Sequence, residues 1–183
     1  IFDIHTPLDR DLANKKYERH RDNLKVGIQT SDQARFVRYF WEVNRDKLGR
    51  GKYWVPLIKG GKEYYSDVLQ VINWNNNGQE IKDFPKSYVR NEDYYFREGL
   101  CWNRKAGSIR LGMRILPPNI IFDQTADSLF PANNSFIYPL LALGNSLLTA
   151  YLMMALDPMI NNRPPGYVAH IPVSFDLFNN ETL

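Results

Sequence analysis

The sharpest chemical signature in the chain is Asp67 followed by Glu80-Ile81-Lys82. An acidic residue and then Glu-x-Lys is the order in which a hydrolytic site holds Mg²⁺. The carboxylate oxygens suit a hard cation, and the ammonium steadies an attacking hydroxide. The same residues also have a plain structural explanation. Glu80 follows Asn75-Asn76-Asn77-Gly78 at a predicted helix start, where a carboxylate is favoured by the local dipole. His5, His20 and His170 stand far apart and lack zinc-ligand spacing. The single Cys101 excludes a disulfide framework and a cysteine zinc centre, and suits a reducing cytoplasm. Neither a G-x-S-x-G elbow nor a phosphate loop occurs. Arg163-Pro164-Pro165-Gly166-Tyr167 comes nearest to the loop that holds the amino group of a flipped base. It has arginine before the prolines and glycine in the aromatic place.

What accumulates instead is chemistry suited to a nucleic-acid groove. Between Arg97 and Arg114 lie five basic residues (Arg97, Arg104, Lys105, Arg110, Arg114) against Glu98 alone. Asn103 and Ser108 sit among them, and Ala106-Gly107 supplies a turn. Arginine and asparagine at the tip of a β-ribbon can reach base edges, while lysine fixes register on phosphates. An ordinary solvated hairpin has the same composition. If Ile109 to Leu116 is a strand, Ser108, Arg110 and Arg114 share one face, and Ile109, Leu111 and Met113 pack from the other.

The elements that must position these residues follow from pattern. With 183 residues, 44% of them apolar, the chain can build one domain with a core. Its net charge of +3 and pI near 8.9 permit an acidic partner. It starts at Ile1 without a leader pattern and reads as part of a longer polypeptide, with a charged helical linker over 1–23, a globular domain over 24–175 and a tail over 176–183. Gln33 to Val43 has Phe36, Tyr39 and Phe40 at helical spacing, which predicts a helix with an aromatic core face. Strands are predicted at Tyr53–Ile58, Val71–Trp74, Leu100–Asn103, Ile109–Leu116 and Ile120–Phe122, with helical turns at Gln79–Asp83 and Asn91–Phe96. After the loop at Asn161 to Gly166, Val168 to Val173 forms a last apolar run. No charge occurs between Asp127 and Asp157, and Phe136 to Leu156 is long enough to cross a bilayer. Pro139, Gly144, Asn145 and Ser146 divide that stretch, and no Lys/Arg cluster flanks it. It is expected to be a buried two-part helix, the second part capped by Asn145 or Ser146, with no membrane involved. The fold class is α/β or α+β, a mixed twisted sheet flanked by helices behind an N-terminal charged helix.

Several segments in order resemble one family. GIQTSDQARFVRYFWEV (Gly27 to Val43) is similar to the G-x-x-T-G-D-N-x-x-F motif that follows the catalytic core of Type IIG and BREX phage-defence adenine methyltransferases. WVPLIKGG, VINWNNNGQEIK, RNEDYYFREGLCWN and NIIFDQTADSLFP follow in that family's order. Leu140 to Val173 resembles its ending. Ser31 and Gln33 depart from the motif, standing where the family has Gly and Asn.

The resemblance implies a target recognition domain, a DNA-reading module with no activity of its own. Its partners would be double-stranded DNA and an upstream methyltransferase domain of the same chain. S-adenosylmethionine would belong to that domain, with no cofactor or metal here. The DNA-binding residues expected are Thr30, Arg35, Lys59, Asn103, Arg104, Lys105, Ser108, Arg110 and Arg114, with composition and resemblance converging on those from Asn103 to Arg114. A Mg²⁺ nuclease fragment using Asp67, Glu80 and Lys82, and an interaction domain without DNA binding, are the alternatives.

Overall fold

A computed structural model describes residues 23–105, 107–156 and 162–173. The predicted charged linker, apart from Asn23, and the tail fall outside these residues. The β-branched and aromatic runs form strands as expected, but in two sheets rather than one, and the α+β class holds.

The first sheet contains β1 (Leu24–Lys25), β5 (Gly99–Asn103), β6 (Arg114–Leu116) and β8 (Ala126–Leu129), in the order β1-β8-β5-β6. All its pairings are antiparallel, with Cys101 opposite Ser128 on one side and Arg114 on the other. The second contains β2 (Val37–Tyr39), β3 (Trp54–Ile58), β4 (Gln70–Asn73) and β7 (Ile121–Phe122), in the order β2-β4-β3-β7. Only its β3–β7 pairing is parallel.

Period-two alternation along β5 explains the layering. Cys101 joins Val55, Leu57, Ile72, Leu116 and Phe122 in the core between the sheets. Leu100 and Trp102 join Leu111, Met113, Ile137, Leu140 and Met153 in a second core. That second core lies under α3 (Ile137–Gly144) and α4 (Leu147–Leu156). With both faces covered, β5 is buried almost throughout, as a continuous apolar strand should be.

The helix expected over Gln33 to Val43 stops early. α1 covers only Gln33–Phe36, capped by Asp32, whose carboxylate accepts from the Arg35 amide at 3.0 Å. The chain then extends into β2 and a 3₁₀ turn at Phe40–Glu42. Phe36 is buried in the core as predicted, whereas Tyr39 and Phe40 stand exposed. Strand pairing of Val37 with Ile72 overrides the helical spacing. Ser31, where the family motif has glycine, takes a left-handed φ of 56°. Its hydroxyl bonds the Lys86 carbonyl, which offsets the cost of that conformation.

The uncharged stretch is broken as its sequence indicates. Ser146 caps α4 by accepting from the Thr149 amide at 3.2 Å, and the two arms bend by 70°. Among the described residues no single helix is long and apolar enough to cross a membrane. Two further differences concern strands. β8 was not foreseen because Asp127 and Ser128 make it look polar. The apolar run from Val168 begins inside a short helix, α5 (Pro165–Val168), and continues as turn and coil to Val173. The turns at Gln79–Lys82 (α2) and Glu92–Tyr94 form where expected.

Cys101 is fully buried, and burial pushes its thiol up to about 11, against the pull of Arg114. An unfolded thiol ionises near 8.5. A raised native value means this contribution to stability is intact below the unfolded value and is lost as pH rises through about 11. The native chain should therefore not react with a disulfide reagent at mildly alkaline pH, and should react at once in denaturant. Rapid native labelling would contradict this packing.

Candidate nucleic-acid interface

The loop joining β5 to β6 is where composition placed the DNA-reading residues, and its geometry divides them into two groups. Strand β6 begins only at Arg114. Gly112 takes a φ of +62°, and a Cβ there would lie 2.6 Å from the Glu63 side chain, so the alternation expected from Ile109 is broken. Leu111 and Met113 do pack into the second core, as predicted. Ile109, predicted to join them, is exposed, and Arg110 does not share a face with Arg114. Arg110 is exposed, while Arg114 retains 2% of its surface.

Arg114 is held inside by carbonyls. One terminal nitrogen donates to the Lys62 carbonyl at 3.2 Å and to Asn103 Oδ1 at 3.0 Å. The other donates to the Lys59 carbonyl at 2.8 Å. Asn103 Oδ1 also accepts from the Gly61 amide at 2.7 Å, and its Nδ2 donates to the Gly61 carbonyl. The loop leaving β3 is thus fastened to the end of β5 and the start of β6.

Arg104 is similarly occupied. Its guanidinium forks onto Asp127 at 2.8 and 2.7 Å, and that carboxylate is fully buried. Burial raises the Asp127 carboxyl above the ordinary carboxylate range, and Arg104 opposes the shift. Asp123 nearby is also raised by burial, with the Thr125 hydroxyl and amide, Lys59 and Arg104 pulling the other way.

A second buried arginine, which the sequence placed only in the Pro-Pro loop and not among the DNA-binding residues, holds the other flank. Arg163 retains 2% of its surface; its amide donates to the Arg104 carbonyl at 2.7 Å and its side chain to the Ser108 carbonyl. The Trp102 indole donates to the Arg163 carbonyl at 2.8 Å. The Arg163-Pro164-Pro165 stretch therefore buttresses the loop rather than standing open as a base-holding pocket. Its only outward signal was an arginine before two prolines. Asn145 completes the frame, accepting from the Met113 amide at 2.8 Å and donating to its carbonyl at 2.9 Å.

Lys105, Gly107, Ile109 and Arg110 are left exposed at the tip. Ser108 is half-buried, donating to Glu63 and accepting from the Arg110 amide at 3.2 Å. The remaining expected residues lie apart from the tip. Thr30 is buried, with its carbonyl accepting from Ser87 Oγ at 2.6 Å. Arg35 pairs with Glu80 at 2.7 Å. Lys59 donates to Gln33 Oε1 at 2.7 Å.

Asp67, Glu80 and Lys82 share no partner: Asp67 accepts from Tyr65, Glu80 from Arg35 and Asn73, and Lys82 donates to Glu92. Among the described residues no group of three or more His, Cys, Asp or Glu is placed to hold a metal ion.

No protein-family model matches the chain. Adenine-specific methyltransferases do match among curated proteins. BrxX of Escherichia coli O9:H4 (strain HS) is 34% identical over 134 residues, which cover 69% of this chain and 11% of the relative. PglX of Lacticaseibacillus casei (strain Zhang) is 27% identical over 170 residues, covering 83% of this chain and 14% of the relative. The chain is homologous to part of these adenine-specific methyltransferases. It spans only 11–14% of the length of the relatives it matches.

The two arginines that the pattern placed on one face should behave differently. Arg114→Met leaves two carbonyls and Asn103 without their donor, and should cost about 3 kcal/mol in urea unfolding. Arg110→Ala should change stability by less than about 0.5 kcal/mol. Equal effects would contradict this division.

Proposed function

We propose that this chain is the DNA-recognition part of an adenine-specific DNA methyltransferase and is not catalytic by itself. In this reading a separate methyltransferase portion binds S-adenosylmethionine and methylates adenine N6, in the cytoplasm and in the restriction or phage-defence setting of the resembled family. The observation that carries the reading is the loop tip, where Lys105 and Arg110 are exposed on a frame fixed by the buried Arg114 and Arg163. A reader must present its donors with their geometry already fixed, because a mobile side chain loses on ordering much of what each contact contributes. Arg110 can address a guanine edge with two parallel donors, and Lys105 can grip phosphate. Arg104 and Arg114 support the loop in this reading instead of touching DNA.

The chain's own residues do not fit the cofactor. The glycine pair after β3, Gly60-Gly61, lacks the further glycines of a cofactor turn. Of the two Pro-Pro pairs, Pro117-Pro118 follows an apolar Leu116, and Pro164-Pro165 is tied through Arg163 to Trp102 and to the hairpin.

A short duplex followed by fluorescence anisotropy should bind with Kd on the order of 10⁻⁴ to 10⁻⁶ M at physiological salt, weakening as salt rises. If Arg110 grips phosphate, Arg110→Ala should lower the salt slope by about one. If it reads guanine, the loss should be about 1–3 kcal/mol and confined to the true site. Calorimetry should show no saturable heat with S-adenosylmethionine. Salt-independent binding, or cofactor binding by this chain, would contradict the proposal.

A further inference from the structure

Tyr39, Phe40 and Trp41 form an uninterrupted aromatic run left in water, with Trp41 59% exposed. The rings are already arranged among themselves. Tyr39 and Trp41 stack at 4.6 Å with 9° between their planes, and Phe40 meets Trp41 edge-on at 5.0 Å. Three adjacent large aromatics at the surface are costly to hydrate and call for an occupant.

The surrounding charge indicates what that occupant is. From Arg35 to Lys62 there are eight basic residues and two acidic ones, although the whole chain carries only +3. Arg45, Lys47, Arg50, Lys52 and Lys62 are exposed. Of the two acids, Glu42 folds back to accept from the Tyr39 amide at 2.7 Å. Register brings this run to the reading end of the molecule. Tyr39 and Leu57 both pair with Gln70, so the aromatic turn leaves the sheet at the same end as the Lys59–Lys62 loop that Arg114 holds. Phe40 is fixed there, its amide donating to the Leu69 carbonyl at 3.0 Å. Beside it opens a shallow cleft lined by Gln33, Arg38, Tyr39, Glu42 and Gln70, where amide and guanidinium groups stand next to a ring.

We infer that this edge is a second nucleic-acid site, which stacks an unpaired base of a single strand on the Tyr39–Trp41 platform. Every base has a π face, so stacking needs no particular sequence, and the lysines and arginines follow the phosphates. The cleft places donors and acceptors at the edge of the stacked base. A protein partner would match the rings, but not the surplus of positive charge between Arg35 and Lys62, which is five once Glu80 is set against Arg35. The inference goes beyond duplex recognition and rests on different residues from the Arg110 tip.

Trp41 is the reporter. Trp74 and Trp102 are buried and Trp54 is half-buried, so quenching by a stacked base falls on Trp41. The intact chain is titrated with DNA and RNA single strands about 12 nucleotides long, and with an abasic DNA of equal length. Base-bearing strands should quench the emission and abasic DNA should not. Comparing DNA with RNA identifies the source of the strand. Trp41→Ala should bind single strands about 5- to 100-fold more weakly, Trp41→Phe should retain most of the affinity, and duplex binding should not change. Should the alanine variant fail to fold, protection of the wild-type emission from acrylamide by base-bearing but not abasic strands serves instead. Arg110→Ala should leave the quenching intact, so a failed duplex reading is told apart from a failed stacking site. Equal quenching by abasic DNA would overturn the inference, as would undiminished strand binding by Trp41→Ala. Self-association that vanishes in Trp41→Ala would overturn it too.

Discussion

The guanidinium of Arg114 is the joint on which the functional end of this protein depends. It sits on the edge strand of one sheet and donates to carbonyls of the loop leaving the other. Burying a charge is expensive unless its donors are matched; here backbone carbonyls and Asn103 match both terminal nitrogens, while Nε is buried without a hydrogen-bond partner. Such an interaction contributes little net stability compared with a well-packed apolar side chain, but it tolerates few alternative arrangements. Carbonyls at fixed positions around a planar fork leave the loop one way to lie. The Lys59–Lys62 segment, the Asn103 corner and the start of β6 are therefore set relative to one another by a single side chain.

Arginines consequently do two jobs in this chain. Arg104, Arg114 and Arg163 are consumed internally, by Asp127, by carbonyls, and by the hairpin backbone respectively. Arg110 and Lys105 remain outside on the loop those residues stiffen. Asn145 contributes a further constraint, presenting its side-chain amide to Met113 as a neighbouring strand would. Gly144 lets Met113 pack close beside it, since a Cβ there would lie 2.8 Å from the Met113 sulfur and the thioether would have to shift. The break in the uncharged stretch thus serves the loop as well as the helix pair. Without it, α3 and α4 would be one rod and the Met113 backbone would lack its side-chain partner.

Much of this was legible in the residues. Strands at Trp54–Ile58, Gln70–Asn73 and Gly99–Asn103 follow from apolar runs bounded by turn residues, and that pattern survives because it matches what the sheets bury. The helix break was written in Gly144, Asn145 and Ser146. Elsewhere local pattern lost to long-range pairing. Phe36, Tyr39 and Phe40 have helical spacing, yet Val37 finds a strand partner in Ile72 and the last two rings turn outward. β8 reads as polar because its buried Asp127 is answered by an arginine from another strand's end, which composition cannot show.

By itself, the sequence determined the fold class, the positions of most turns, the basic character of the β5–β6 loop, and kinship with adenine-specific methyltransferases. These rest on composition and on spacing between near neighbours, which each stretch carries with it. The tertiary structure decided which cations are free. Arg110 and Arg114 stand four positions apart, and a strand between them would give them the same surroundings. One reaches solvent and the other is enclosed, because Gly112 breaks the strand and three carbonyl or amide oxygens from distant segments converge on Arg114. Convergence of that kind is a property of the folded chain, since those oxygens come from residues some fifty positions away or across a hairpin.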